Sequence, residues 1–306
     1  MCTHHKKTIS EVREMAVETE RPMRWESAES IAQAFSTDVG NLLYEMTIVL
    51  WDWIERAASD QGEKIPKLNT VRREERQAKE KRFTESDLLI LASELIGLGI
   101  SPTLVAELEA IFTLFDPKFR DVFLEYYPQV WQNGLDRGYF MLQEHASRND
   151  PNGLFATVPE SYPLNQGSPL YIQYVNNGLQ RITSNLTIQF SGLAMQTISQ
   201  GLVSNGNWAT IARQLYKKVG LGASWHWKRL VRTEMQIGFY GAMKERYGNA
   251  KVKYLKLVPV RTACPICRGA AGWYHYGNEV AVPLHPNCRC TYVPAWNLPR
   301  NTSIVA

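Results

Sequence analysis

The sequence predicts a mainly α-helical protein with a small C-terminal α+β unit built on a metal knuckle. Three observations predict it. Apolar residues recur at steps of three and four along two long stretches, the spacing that places them on one helix face. Helix starts recur as an N-cap residue followed by proline, at Ser101-Pro102, Asp116-Pro117 and Ser168-Pro169, proline being suited to the first helical position. Strand character appears only at 251–258, directly before a cluster of cysteines and a histidine.

Residues 1–26 mix charges without period and read as a flexible arm. Over 27–58, Ile31, Phe35, Val39, Leu42, Met46, Leu50 and Trp53 mark one face of a long helix. Gly62, Pro66 and Asn69 then break helical continuity, and 63–82 carries eight Lys/Arg against four Glu, a solvated loop or polar helix. Thr84 with Asp87 three residues on is an imperfect capping box opening the next helix, which ends at Gly97-Leu98-Gly99. Starts at Ser101 and Asp116 follow, with a kink or break expected at Pro128. This completes a helical region over 27–150. Four prolines and two glycines within 148–169 mark 151–168 as a connector. Ser168-Pro169 opens another long helix with the stripe Tyr171, Val175, Leu179, Ile182, Leu186, Phe190 and Leu193. Asn205-Gly206-Asn207 ends it and caps a short helix over 208–219, and a further helix runs from Ala223 or Ser224 to Gly248. The strand at 251–258 is expected to pair with Thr291-Tyr292-Val293.

At 306 residues, 44% hydrophobic and 21% charged, the chain has the composition of an ordinary soluble protein with room for a real core. The most apolar stretches, 48–53 and 88–100, are short or interrupted by Asp52, Ser93 and Glu94, so no membrane span is expected. Lys6, Lys7, Glu11 and Glu14 leave no apolar core for a secretion signal.

Four of the five cysteines fall within 264–290, which reads Cys264-Pro265-Ile266-Cys267, seventeen residues, then His285-Pro286-Asn287-Cys288-Arg289-Cys290. A two-residue spacer lets two thiolates converge on one ion, and the second cluster completes a tetrahedron. Five candidates, Cys264, Cys267, His285, Cys288 and Cys290, compete for about four places. Thiolate and imidazole together favour zinc, one ion per chain. Disulfides fit a reducing compartment poorly, and no thioredoxin-like pattern surrounds the first pair to make it a redox centre. A sulfur-rich, fully protein-ligated ion leaves no open position, so the zinc is expected to be structural. Arg289, between two candidate ligands, is placed to bond a thiolate or carbonyl.

Charge is uneven although the net is only +4. Residues 86–170 hold eleven acids and four Lys/Arg, whereas 213–261 holds twelve Lys/Arg and two acids. Within the basic stretch Lys217, Lys218, Lys228, Arg229, Lys244 and Arg246 alternate with Tyr216, Trp225, Trp227 and Tyr240. Cations for phosphates and rings for stacking make a nucleic-acid surface. The same pattern also describes a helix's solvent face with core aromatics behind it, and both readings stand. Walker, dinucleotide-binding, zincin and nucleophile-elbow motifs are absent, and no residue is assigned a catalytic role.

CPIC, then Gly272, then HPNCRC resembles the C-terminal signature of the phage head morphogenesis family, the minor head proteins typified by the F protein of phage Mu. Arg232-Thr233-Glu234 is similar to the Arg-Thr-Glu that precedes it there, as is the pattern Gly206, Ile211, Ala212. The likeness covers 201–294, so 169–306 reads as a head-morphogenesis-like domain. The resemblance implies a non-enzymatic minor head protein inside the virion head near the portal vertex, reached from the host cytoplasm during assembly. It would meet portal protein, major capsid or scaffolding proteins and phage double-stranded DNA, and act in head assembly, packaging or ejection. Arg232 and Glu234 are expected to be structural, a buried tether from their helix. The rival reading is a cellular zinc-ribbon nucleic-acid-binding module, and a metallohydrolase would need an open position on the metal.

Overall fold

The computed structural model describes residues 26–66, 83–150, 153–183, 187–204, 206–218, 224–286, 288–299 and 302–305. The arm at 1–25 and most of the polar segment at 63–82 lie outside them. In order come α1 (Glu26–Asp60), α2 (Glu85–Gly97), α3 (Pro102–Asn149), a 3-10 turn (Leu154–Thr157), α4 (Pro169–Thr183), α5 (Gln189–Val203), α6 (Trp208–Lys218), α7 (Ser224–Asn249), β1 (Tyr254–Val258), the short α8 (Pro265–Gly269), β2 (Gly272–His275) and β3 (Thr291–Ala295). The architecture is mainly helical with one small antiparallel sheet near the C-terminus. None of the described helices is long and apolar enough to cross a membrane.

The chain divides into two compact units. One comprises 33–126 and 176–232. There α1 buries Phe35, Val39, Leu43, Met46, Leu50 and Trp53, the stripe the periodicity predicts except that Leu43 replaces Leu42. Trp53 donates its indole N–H to the Leu104 carbonyl at 2.7 Å and meets the Trp208 ring edge-on at 6.5 Å. The α2 capping box is complete: Asp87 N–H donates to Thr84 Oγ1 at 3.2 Å and Thr84 N–H donates to Asp87 Oδ2 at 2.8 Å. At its other end Gly99 takes φ 91°, and Ile100 N–H and Gly99 N–H bond the Leu95 and Ile96 carbonyls, a left-handed cap of the Schellman kind. Asn207 caps α6 through a 2.9 Å bond from the Thr210 N–H.

The other unit comprises, of the described residues, 26–32 together with 127–175 and 233–306, so the 151–168 stretch falls within it between α3 and α4. Its helical core is aromatic: Trp131 lies 5.2 Å from Tyr171 and 5.5 Å from Tyr174, ring to ring. A Cβ added at Gly134 would stand 2.7 Å from the Ala242 Cβ, and one at Gly138 would stand 2.9 Å from the Arg246 Cβ. Only glycine lets α3 and α7 approach this closely. Ser168 caps α4, its Oγ accepting the Tyr171 N–H at 3.1 Å. The sheet has strand order β2-β1-β3, all pairs antiparallel.

Two expectations are corrected. Asp116-Pro117 does not start a helix and Pro128 does not break one, because α3 runs unbroken from Pro102 to Asn149. A proline inside a helix costs about 3 kcal/mol. Phe112, Phe115, Phe119 and Phe123 are all buried around Pro117, and Tyr127, Val130 and Trp131 around Pro128. At roughly 2 kcal/mol for each large apolar side chain buried, packing outweighs either proline. The Asp116 carboxylate accepts a bond from Thr187 Oγ1 at 2.7 Å instead of capping. The long helix expected from Ser168 is described as α4 and α5, with 184–186 outside the described residues.

Candidate metal centre

The sheet brings the two knuckles to one edge. β1 ends at Val258, opposite Thr291 where β3 begins, and its Leu257 faces Gly272 where β2 begins. The first knuckle joins β1 to β2 and the second leads directly into β3, so antiparallel pairing places both at the same end of three strands.

Local geometry then aims the donors. Cys264 is extended (φ −69°, ψ 167°) and N-caps α8, with Pro265 in its first turn. The Cys267 N–H approaches the Cys264 Sγ at 3.5 Å. In the second knuckle His285 Nδ1 lies 2.8 Å from the Pro286 carbonyl. A carbonyl only accepts, so Nδ1 carries a proton, and in the neutral imidazole Nε2 keeps a free lone pair. That Nε2 lies 3.1 Å from Cys264 Sγ and 3.0 Å from Cys267 Sγ. Cys267 Sγ lies 3.7 Å from Cys288 Sγ, matching the edge of about 3.8 Å of a tetrahedron with 2.3 Å metal–sulfur bonds.

Two triples of donors, Cys264 with Cys267 and His285, and Cys267 with Cys288 and Cys290, each converge within 4.8 Å. Sharing Cys267, they form one cluster of five that could hold a metal ion. The four knuckle cysteines are free, and Cys267, Cys288 and Cys290 are buried. The Cys288 thiol is pushed down to about 5, chiefly by the hydrogen bond it receives from the Cys290 side chain, with burial opposing. Cys290 is correspondingly pushed up as the donor. A backbone N–H from Cys267 lowers Cys264, and burial raises Cys267 to about 11. The arrangement favours thiolate at Cys288 and lowers the Cys264 thiol pKa before any ion binds.

Sequence reasoning missed the support behind the second knuckle. Gln236 on α7 donates its amide to the Cys288 carbonyl, and Tyr240, one turn on, donates its hydroxyl to the Cys290 carbonyl. Tyr247 continues the row to the Tyr292 carbonyl at 3.3 Å. Polar side chains at steps of four and seven on a helix's buried face were the available signal.

The other predicted site residues are dispersed. Glu234 is 2% exposed, while Arg232 is half-buried. Arg289 is exposed and does not serve the Cys288 or Cys290 carbonyl, which Gln236 and Tyr240 occupy. Of the basic residues, Lys217 and Lys228 are exposed and Lys218 and Arg229 half-buried. The side chains of Trp225 and Trp227 lie outside the described residues. Lys244 pairs with Glu279 and lies 5.7 Å above the Tyr276 ring. Arg246 is a correction: it is 1% exposed, with its guanidinium over the Tyr139 and Tyr162 rings, and meets no external phosphate. No family model, curated protein or solved structure matches this chain.

Proposed function

We propose that this chain is a phage minor head protein, a non-enzymatic component of the head near the portal vertex, and that its metal is a single structural zinc ion. One observation carries the reading. The helix bearing Arg232-Thr233-Glu234 also bears Gln236 and Tyr240, which hold the carbonyls of Cys288 and Cys290. The helix that carries one piece of the head-morphogenesis-like signature thereby braces the knuckle that carries another.

The donor set supports zinc, since thiolates with one neutral imidazole suit that ion best. Cys264, Cys267, His285 and Cys288 would hold it, and Cys290 would hydrogen-bond to Cys288 from outside the ligand set. When bound, the ion ties the ends of β1, β2 and β3 together where little apolar sequence remains to do so. Four protein ligands leave no position for substrate, which is why no catalysis belongs to this reading.

Portal protein, and major capsid or scaffolding proteins, are the proposed partners, with phage double-stranded DNA alongside. Structure determination of the assembled particle without imposed icosahedral symmetry tests this. Density for the chain at the portal vertex, with portal protein copurifying from infected cells, is expected. A free protein that never enters particles overturns it.

A further inference from the structure

We propose that the tip of the metal knuckle is a contact surface for the phosphodiester backbone of duplex DNA, carried by Arg268 and Arg289. The proposal takes from the reading above only that the chain works beside packaged DNA.

Residues 250–306 contain seven Lys/Arg and a single acid, Glu279. That acid is nearly buried and paired with Lys244 of α7, so it offsets nothing at the tip. The two knuckles repeat one arrangement. Cys267 and Cys288 are each 2% exposed, and the residue following each, Arg268 and Arg289, is exposed. With the two sulfurs 3.7 Å apart, and each arginine one peptide step of about 3.8 Å from its cysteine, both side chains leave from the rim of one cluster. Among the described residues neither guanidinium has an ion-pair or hydrogen-bonding partner. Ile266, 63% exposed, stands on the same knuckle.

The chemistry favours phosphate. A guanidinium fork matches two phosphate oxygens and keeps its charge at any working pH. The tip offers no element able to read bases, because α8 spans only Pro265–Gly269, so binding is sequence-independent. A purely internal role, offsetting thiolate charge, would seat the guanidinium groups against the sulfurs; they are turned to solvent instead.

The test uses the full-length, metal-loaded protein and a random-sequence duplex of about 30 base pairs, followed by fluorescence anisotropy between about 50 and 300 mM NaCl. Each phosphate contact contributes about −0.9 to the slope of log affinity against log salt. Arg268→Ala with Arg289→Ala is expected to flatten the slope by about two units, with metal content and thermal midpoint unchanged. The Arg268→Lys, Arg289→Lys pair is expected to restore most of the slope. An unchanged slope in the alanine pair overturns the proposal, as does absence of wild-type binding at low salt. If the alanine pair sheds its metal, the lysine pair decides: retained metal with unrestored slope overturns the proposal, and restored slope supports it. Copurification of portal protein is scored separately, so a failed DNA surface and a failed minor-head reading give different results.

Discussion

Tyr240, in the middle of α7, donates its hydroxyl to the main-chain carbonyl of Cys290, fifty residues later in the chain. Both residues are buried, and burial pushes the phenol pKa up, so the hydroxyl stays a donor. Tyr240→Phe leaves that carbonyl unpaired at a cost of about 1–3 kcal/mol. Because it releases the segment carrying Cys288 and Cys290, metal affinity should fall by roughly 10–100-fold. Chelator competition measures the second effect and urea unfolding the first. Wild-type metal affinity in Tyr240→Phe would show that α7 does not brace the knuckle.

Replacing single cysteines separates ligand from neighbour. Elemental analysis of the native protein should give one zinc per chain. Cys264→Ser and Cys267→Ser should release it and lower the stability of the C-terminal unit. Cys290→Ser should retain it, since a hydroxyl at 290 can still donate to the Cys288 sulfur, with affinity reduced by about tenfold. Native protein without metal and with its four knuckle cysteines disulfide-linked would sink the assignment. Loss of metal in Cys290→Ser would move Cys290 into the ligand set.

Local chemistry was legible in the sequence and long-range chemistry was not. Thr84 and Asp87 form their box within one turn, so three residues of spacing sufficed to find it. The knuckles were legible because ligand spacing constrains them directly. Asp116-Pro117 has the same local signature as Ser101-Pro102, yet only Ser101 caps, its Oγ accepting the Leu104 N–H at 3.2 Å. What separates them is the phenylalanine packing around Pro117, which no local window contains. β2 was missed because Gly272-Trp273-Tyr274-His275 is too short to show a period. Its pairing with β1 and the bridge from Trp273 to Ile304 are tertiary facts.

The α2 cap offers a clean local test. Thr84→Ala removes the acceptor of the Asp87 N–H and the partner of the Asp87 carboxylate. A loss of about 1 kcal/mol is expected, and Thr84→Ser should recover most of it. Equal loss in both variants would mean that the methyl group, rather than the hydroxyl, carries the effect.

Close packing of α3 on α7 predicts a larger penalty at a glycine. Gly134→Ala places a methyl against the Phe239 carbonyl and the Ala242 Cβ, neither of which can rotate away. Overpacking of this kind costs about 1–3 kcal/mol. Gly40→Ala is the control, since a Cβ there meets nothing within 4 Å, and it should stabilise α1 by up to about 1 kcal/mol. Similar stabilities for the two variants would contradict the packing.

Arg246 belongs to the fold and not to a nucleic-acid surface, and its replacement should show this. Its Nη2 donates to the Pro159 and Glu160 carbonyls, and its Cζ lies 5.1 and 4.9 Å from the Tyr139 and Tyr162 ring centroids. The guanidinium therefore fastens the 151–168 stretch to α7 through two carbonyls and two ring faces. Burial lowers its pKa, the direction expected of a desolvated cation. Arg246→Met keeps the length of the stem but strands both carbonyls, so a loss of about 2–4 kcal/mol is expected. Arg246→Lys should recover little, because an ammonium lacks the planar fork that spans the carbonyls while stacking on the rings. Lys228→Ala, at an exposed position of α7, should stay within about 0.5 kcal/mol of the native protein. DNA affinity per folded molecule should be unchanged in Arg246→Met. A variant as stable as the native protein, with weakened DNA binding, would return Arg246 to the surface set.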